Sequence, residues 1–400
     1  RAFEQGADGV LVSGCHPGDC HYVQGNLVAR RRFTIFRSLM DFLGIDLRRL
    51  HFAWVSAAEG HKWARVVKEV SAAVSVAGPL PRPLAADGWE GPELPAAEGE
   101  GPREIPAAEA ETLRENLRRT AVELLESGRA GVVIGHRRGS LPGRLVPVMA
   151  TTAAECRELE WGEGAVNNLV TYAATALEGA EKAALVVKAC ELHALTGLIR
   201  EGQVERERLL LVGMQCPGVR PEGELAAKCR GCSGLPHPAC DLLLTPEGVR
   251  EGGGEAPAAD DGDARDRQIA HLESLPADER WLYWQRQFAR CLRCYACRAV
   301  CPLCYCSTCV ADKHRPQWVP TTIDARGNGV WNVIRAMHLA GRCTGCDECA
   351  RVCPADIRLD LINRKLALEV ERHFGAAGLD PGEKAALVDF RMEDPEEFIL

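Results

Sequence analysis

The sequence predicts a multidomain protein in which two α/β domains with mostly parallel sheets precede a helical domain with two cysteine-rich loops. Three observations support this fold class. Strand-like and helix-like segments alternate over residues 1–245, which favours parallel strands joined by right-handed crossovers. Two stretches rich in glycine, alanine and acidic residues, at 78–108 and 246–266, have the composition of linkers. Two near-identical cysteine runs lie in the last third of the chain.

The linkers divide the chain into predicted domains at 1–77, 109–245 and 267–400. The first domain has the order strand, helix, strand, helix, at Gly9–Ser13, 26–43, Phe52–Val55 and Lys62–Val74. In the middle domain, helices are expected at about 164–178 and 191–201, between strands at Gly131–Ile134, Leu145–Met149, Leu185–Lys188 and Leu209–Val212.

Composition narrows the class of protein. The net charge is −8, which argues against a nucleic-acid partner. Nineteen cysteines in 400 residues, several at Cys-x-x-Cys spacing, favour metal binding in a reducing compartment over disulfides. No apolar stretch reaches spanning length and no secretory leader is visible, so we expect a cytoplasmic protein without membrane insertion.

In the third domain, two runs share the spacing Cys-x-x-Cys-x-x-Cys-x-x-x-Cys-Pro. The first consists of Cys291, Cys294, Cys297 and Cys301, and the second of Cys343, Cys346, Cys349 and Cys353. This spacing is typical of two 4Fe–4S clusters, in which the fourth cysteine of each run binds the other cluster. We therefore expect Cys353 in the first cluster and Cys301 in the second. The alternative is zinc, which usually takes two more widely separated Cys-x-x-Cys pairs.

Helical patterns flank both runs. Apolar residues recur at helical spacing between them, from Val330 to Met337, and Gly341 ends that pattern just before Cys343. Three further cysteines have no place in the motif: Cys304, Cys306 and Cys309. They are candidates for zinc, for another cluster, for substitute ligands or for buried apolar positions. Residues 276–375 resemble the alpha-helical ferredoxin family, most specifically in "CTGCDECARVCPADI" at 343–357. That resemblance implies two helix-bounded cluster loops packed back to back.

A second candidate site is the loop after the first strand, where Cys15 and Cys20 alternate with His16 and His21. Two cysteines with four residues between them suit one side of a 2Fe–2S cluster, which needs two more ligands from elsewhere. Zinc, or a loop without metal, is the alternative. The segments at 3–26 and 49–67 resemble the delta subunit of methyl-viologen-reducing hydrogenase (MvhD/FlpD family). The resemblance implies a 2Fe–2S subunit whose remaining cysteines lie upstream of Arg1, so we expect further sequence there.

The middle domain offers a third candidate site. Cys216, Cys229, Cys232 and Cys240 suit a third 4Fe–4S cluster or zinc. Cys190 and Cys216 each follow the C-terminal end of a strand, where open α/β sheets bind ligands. Residues 186–218 resemble the beta subunits of deazaflavin-dependent hydrogenases and formate dehydrogenases. That resemblance implies a 4Fe–4S cluster and a flavin, although no glycine fingerprint for a dinucleotide is present. A spacer domain with a structural metal is the alternative.

Together these features predict an iron–sulfur electron-transfer subunit. The resemblances imply that it links a hydrogenase or formate dehydrogenase to a flavoprotein like the A subunit of heterodisulfide reductase. Two other functions remain open: a flavin-containing reductase of a deazaflavin or another small acceptor, and a zinc-stabilised assembly scaffold.

Overall fold

The computed structural model describes residues 2–3, 5–80, 91–254, 263–375 and 382–400. They form nine strands in two sheets and twelve α-helices. None of the helices in these ranges combines the length and the apolar character needed to cross a bilayer. The chain is therefore multidomain with sheets and helical regions, as predicted, whereas much of each predicted linker (81–90 and 255–262) lies outside the described residues.

The first part has the predicted strand–helix–strand–helix order. Its elements are β1 (Val10–Gly14), α1 (Gly25–Phe42), β2 (Leu50–Trp54) and α2 (Gly60–Ala77). β1 and β2 pair in parallel, with Val10 opposite Leu50 and Gly14 opposite Trp54. The cysteine loop therefore starts where β1 ends, at the C-terminal edge of this small sheet.

The middle part is a seven-stranded sheet covered by helices. Its helices are α3 (Ala107–Glu126), α4 (Ala153–Cys156), α5 (Ala173–Gly179) and α6 (Ala189–Arg200). Its strands are β3 (Val132–Arg138), β4 (Leu145–Ala150), β5 (Leu159–Glu160), β6 (Ala183–Val187), β7 (Leu209–Met214), β8 (Leu242–Thr245) and β9 (Gly248–Glu251). The strand order is β4-β3-β6-β7-β8-β9, and β5 pairs with β3.

This sheet is mixed rather than mostly parallel. β3, β6, β7 and β8 are parallel to one another, but β4, β5 and β9 pair antiparallel at its edges. β9 lies inside the stretch 246–266 that was predicted to be a linker, because it returns directly from β8 as a hairpin. The helix predicted at 164–178 is shorter, since α5 begins only at Ala173 after a 3-10 turn.

The third part is helical. It consists of α7 (Ala264–Ser274), α8 (Ala277–Ala289), α9 (Ala296–Ala299), α10 (Ala325–Leu339), α11 (Glu348–Arg351) and α12 (Leu359–Phe374). α10 is the helix predicted between the cysteine runs, and Gly341 follows it with φ = 70°. Its most buried positions include three polar residues that the apolar pattern did not indicate, namely Asn328, Asn332 and Arg335.

Two large hydrophobic cores organise the described residues. One lies between α3, the seven-stranded sheet and α6. The other joins Phe33 and Leu39 of α1 to Trp284 of α8 and Leu366 of α12. The first and third parts, which lie at opposite ends of the sequence, therefore share one core.

The C-terminal tail reinforces this union. The Leu400 amide donates to the Phe52 carbonyl at 2.9 Å, and Ile399 forms a parallel bridge with the same residue at the edge of β2. Arg31 of α1 donates to both carboxylate oxygens of Asp394, each at 2.8 Å. The tail thus serves as an additional strand contact for the N-terminal sheet.

Candidate metal centres

The two cysteine runs fold into loops with the same backbone path. In each loop φ is positive at two positions. One is the residue just before the second cysteine, and the other is the residue just after it. These residues are Arg293 (53°) and Tyr295 (59°) in the first loop, and Gly345 (67°) and Asp347 (58°) in the second. A short helix, α9 or α11, then begins. Because left-handed backbone costs non-glycine residues energy and concentrates at functional sites, the repeat indicates a common purpose.

The first cavity is lined by three cysteines of the first run and one of the second. They are Cys291, Cys294, Cys297 and Cys353. Trp331, Ile357 and Leu359 contribute apolar walls. Asn328 Nδ2 donates to the Cys291 carbonyl at 2.8 Å, so the loop is tied to α10.

The second cavity has the reciprocal lining, with Cys301, Cys343, Cys346 and Cys349. Asn363 Nδ2 lies 3.5 Å from Cys349 Sγ. Burial raises the pKa of Cys343 to about 12, so this thiol must release a proton when it binds a metal. Four thiols around each cavity are the donor set of a 4Fe–4S cluster, and the residues fit such a group. When bound, it would supply one-electron transfer.

A larger cavity of about 540 Å³ lies between the middle sheet and the helical part. Five cysteines line it: Cys190, Cys216, Cys229 and Cys232 from the middle part, and Cys343 from the second cysteine run. Cys190 stands in the first turn of α6, directly after β6, and Cys216 follows β7. Both therefore lie at the C-terminal edge of the parallel strands, where the sequence predicted a ligand.

Cys240, which the sequence predicted as a ligand, is not among the residues that line this cavity. It lies just before β8 and is 4% exposed within the middle core. Its sulfur packs against Gly213 of β7, where an added Cβ would come within 2.7 Å of it. The Cys240 side chain thus lies in the middle core, whereas Cys190 lies at the cavity. The strand-end position of Cys190 was the signal that identified it.

Two lysines, Lys188 and Lys228, line this middle cavity. Lys188 Nζ forms a buried ion pair with Glu191 at 2.9 Å. Lys228 Nζ donates to the carbonyl oxygen of Cys346, a residue of the second cavity, at 2.5 Å. Burial raises the pKa of Cys216 to about 11, although the nearby Lys188 opposes the shift. Lys228 thus connects the middle cavity to the second cysteine set.

The N-terminal loop has a different character. Cys15 is exposed and Cys20 is partly buried. Asn26 Nδ2 donates to the carbonyls of Cys15 and His16, at 2.9 Å each. His16 Nε2 lies 2.7 Å from a carboxylate oxygen of Glu59. The loop therefore offers two thiol ligands, and a 2Fe–2S cluster at this position would need two further ligands from outside the loop.

The three extra cysteines, Cys304, Cys306 and Cys309, differ in exposure. Cys306 is exposed, while Cys304 and Cys309 are partly buried. The hydrogen bond from Cys301 lowers the pKa of Cys304, which places Cys304 beside a second-cavity thiol. Across the described ranges, no three histidine, cysteine or carboxylate side chains converge on the position of a single metal ion.

Comparison with known proteins identifies the N-terminal part. The family model for the delta subunit of methyl-viologen-reducing hydrogenase matches residues 1–78. The resemblance of 3–26 and 49–67 to this family is therefore confirmed, and it covers about a fifth of the chain.

Individual relatives agree with this match. The iron-sulfur subunit of an F420-non-reducing hydrogenase from Archaeoglobus profundus is 47% identical over 80 residues, which is 20% of this chain and 58% of that protein. The A subunit of the ferredoxin/F420H2-dependent CoB-CoM heterodisulfide reductase from Methanosarcina acetivorans is 39% identical over 80 residues, covering 20% and 10%. The beta subunit of the F420-dependent formate dehydrogenase from Methanocaldococcus jannaschii is 33% identical over 118 residues, covering 28% of each chain. All three matches leave much of both chains unpaired.

Proposed function

We propose that this chain is an iron–sulfur electron-transfer subunit that links a hydrogenase or a formate dehydrogenase to a heterodisulfide-reductase-like flavoprotein. The observation that carries the proposal is the pair of cavities in the helical part, each lined by four cysteines with one exchanged between the runs. Clusters held by four thiolates accept and release single electrons.

The proposed ligand sets follow from the linings. One 4Fe–4S cluster takes Cys291, Cys294, Cys297 and Cys353, and the other takes Cys343, Cys346, Cys349 and Cys301. A third 4Fe–4S cluster takes Cys190, Cys216, Cys229 and Cys232 in the middle cavity. Cys15 and Cys20 provide half of a 2Fe–2S site. The protein's own contribution is to position these thiolates, to exclude water with Trp331 and its neighbours, and to set the local charge.

The partners are proposed from what the relatives are called. Similarity to a hydrogenase iron-sulfur subunit, to one chain of a heterodisulfide reductase and to one chain of a formate dehydrogenase supports a position between such enzymes. Lys228 supports the internal route from the middle cavity to the second cluster, because it contacts the second cysteine run.

Metal analysis tests the proposal. Protein prepared without oxygen is analysed for iron, acid-labile sulfide, zinc and flavin, and its EPR spectrum is recorded after reduction by dithionite. We expect iron and sulfide in equal amounts and signals from reduced 4Fe–4S clusters. Zinc without iron and sulfide would refute the proposal and support the assembly scaffold instead.

Exchange of ligands between the runs is tested by three variants. Cys294→Ser should weaken only the first cluster's signal, whereas Cys301→Ser should weaken only the second's, although Cys301 belongs to the first run. Cys306→Ser is the matched control, because Cys306 is exposed and lines neither cavity. Loss of the first cluster's signal in Cys301→Ser would contradict the exchanged pattern.

A second candidate function, a flavin-containing reductase, is favoured by the size of the middle cavity. Its volume of about 540 Å³ is within the range of small-molecule sites. Flavin bound to the purified protein, together with reduction of a deazaflavin in the absence of partner proteins, would favour this function.

A further inference from the structure

Helix α10 is a common wall of the two four-cysteine cavities. Trp331 and Asn332 line the first cavity, and Arg335 and Leu339 line the second. Trp331 and Arg335 are four residues apart, so they lie on the same face of the helix, one turn from each other. A side chain at this position of α10 can therefore act on both sites.

Arg335 occupies that position, with 4% of its surface exposed. One terminal nitrogen donates to the carbonyl oxygen of Cys297, in the first run, at 2.9 Å. Its Nε atom is buried without a hydrogen-bond partner. Among the described residues, no carboxylate lies within 4 Å of its guanidinium group. Its positive charge thus has no acidic partner among them.

Other buried arginines of the chain are compensated. Arg31 and Arg265 contact the carboxylates of Asp394 and Asp263. Among the described residues Arg49 has no carboxylate partner, but it donates to the four carbonyl oxygens of Asp8, Ala77, Gly78 and Pro79. Arg335 has one such bond. Because burying an unpaired charge is costly, the missing partner must be sought in the cavities.

Sulfurs from both cysteine sets act on the charge of Arg335. Burial by itself would lower the pKa of Arg335, but Cys349, Cys297, Cys301 and Cys304 outweigh burial and raise it. Cys297 belongs to the first cavity, whereas Cys349 and Cys301 belong to the second. A cluster held by four thiolates carries net negative charge, and it gains one more unit on reduction.

We propose that Arg335 is a positioning residue shared by both 4Fe–4S clusters, whose unpaired charge stabilises their reduced forms and raises both reduction potentials. The proposal rests on the two clusters of the proposed function. A fixed cation between two redox sites favours the added electron at either of them. Because Arg335 lines the second cavity and reaches the first set only through its bond to the Cys297 carbonyl, the second cluster should respond more strongly.

The test is an EPR-monitored redox titration of the whole protein with its clusters assembled. Arg335→Gln removes the charge and keeps a donor for the Cys297 carbonyl. At a fixed solution potential, we expect the ratio of reduced to oxidised cluster to fall about tenfold or more for the second cluster, which corresponds to about 59 mV for one electron. The first cluster should shift in the same direction by a smaller factor. Arg335→Lys keeps the charge and should stay within about twofold of the parent at both clusters.

Arg298→Met is the control, since Arg298 is paired with Asp312 at 2.9 Å and lines neither cavity. It should leave both titrations unchanged. Unchanged potentials in Arg335→Gln, or a shift at one cluster alone, would overturn the shared role. If clusters do not assemble in Arg335→Gln, the Arg335→Lys variant decides between the outcomes. Assembly with parental potentials in Arg335→Lys supports the role of the charge, and failure to assemble overturns the proposal. A parent protein without iron would instead refute the proposed function.

Discussion

The clamp between the C-terminal tail and α1 yields a quantitative prediction. Arg31 and Asp394 form a two-point ion pair with side chains that are each 4% exposed. Asp394 also accepts a hydrogen bond from the Arg391 amide at 2.8 Å. Asp394→Asn keeps the shape of the side chain but removes its charge, so Arg31 is left buried without its carboxylate.

The expected magnitude follows from this burial. Breaking a buried ion pair by removing one partner costs about 3–5 kcal/mol, because an uncompensated charge remains. Arg31 retains its bond to the Ala386 carbonyl at 2.8 Å and its contact with the Phe374 ring. We therefore expect the free energy of unfolding to fall by about 3 kcal/mol, at the lower end of that range.

Urea unfolding under anaerobic conditions, followed by tryptophan fluorescence, measures this change. Glu69→Gln is the control, since its pair with Arg65 is exposed on both sides and separated by 3.7 Å, and it should cost less than about 0.5 kcal/mol. A loss for Asp394→Asn as small as that of the control would refute the reasoning.

The same pair predicts a pH dependence. Burial opposes ionisation of Asp394, but hydrogen bonds from Arg31 and the Arg391 amide outweigh it and hold its pKa below the ordinary value. Because the pKa of Asp394 is lower in the folded state, its ionised form stabilises the protein at pH values above the unfolded pKa of about 3.9. That stabilisation disappears as the pH falls through the folded pKa. The difference between the parent and Asp394→Asn should therefore be constant near neutrality and shrink only below about pH 4. A difference that shrinks between pH 6 and 8 would assign the effect to another group.

Three further predictions concern the middle cavity and the shared core. Cys190→Ser should lower the iron content by about one cluster, whereas Cys240→Ser should leave it unchanged; the opposite result would restore the ligand set expected from spacing. Gly234→Ala should abolish the EPR signal of the proposed middle-cavity cluster, because Gly234 has φ = 68° and an added Cβ would lie 2.2 Å from the Cys216 carbonyl oxygen. A normal signal would contradict this prediction. Trp284→Ala should lower the free energy of unfolding by about 3–5 kcal/mol in urea titrations, because Trp284 is fully buried between the first and third parts. A loss below about 1 kcal/mol would contradict the shared core of these two parts.

Several features were predictable because they depend on short stretches of chain. The strand and helix order of the first part follows from apolar periodicity, and its elements match the prediction to within about three residues. The equivalence of the two cysteine loops follows from identical spacing, although spacing alone does not indicate that Tyr295 and Asp347 would be left-handed. The edge position of Cys190 and Cys216 follows from the rule for parallel strands.

Other features were missed because the pattern that was analysed did not contain them. Apolar spacing identified α10 but not its buried polar stripe, since Asn328, Asn332 and Arg335 are buried by contact with the cysteine loops rather than by hydrophobicity. The orientation of Cys240 depends on the pairing of β7 with β8, which is long-range and not encoded in cysteine spacing.

By itself, the sequence determined the local chemistry of this protein: which cysteines are close along the chain, which strands end in a loop, and the order of strands and helices in the first part. Such properties arise from covalent geometry and backbone preferences over a few residues. Only the tertiary structure decided that the first part and the C-terminal helices share a core, that Cys190 faces the middle cavity, and that Arg335 lies between two cysteine sets. These arrangements depend on packing between segments far apart in the chain, where burial and charge compensation, rather than local spacing, select the partner.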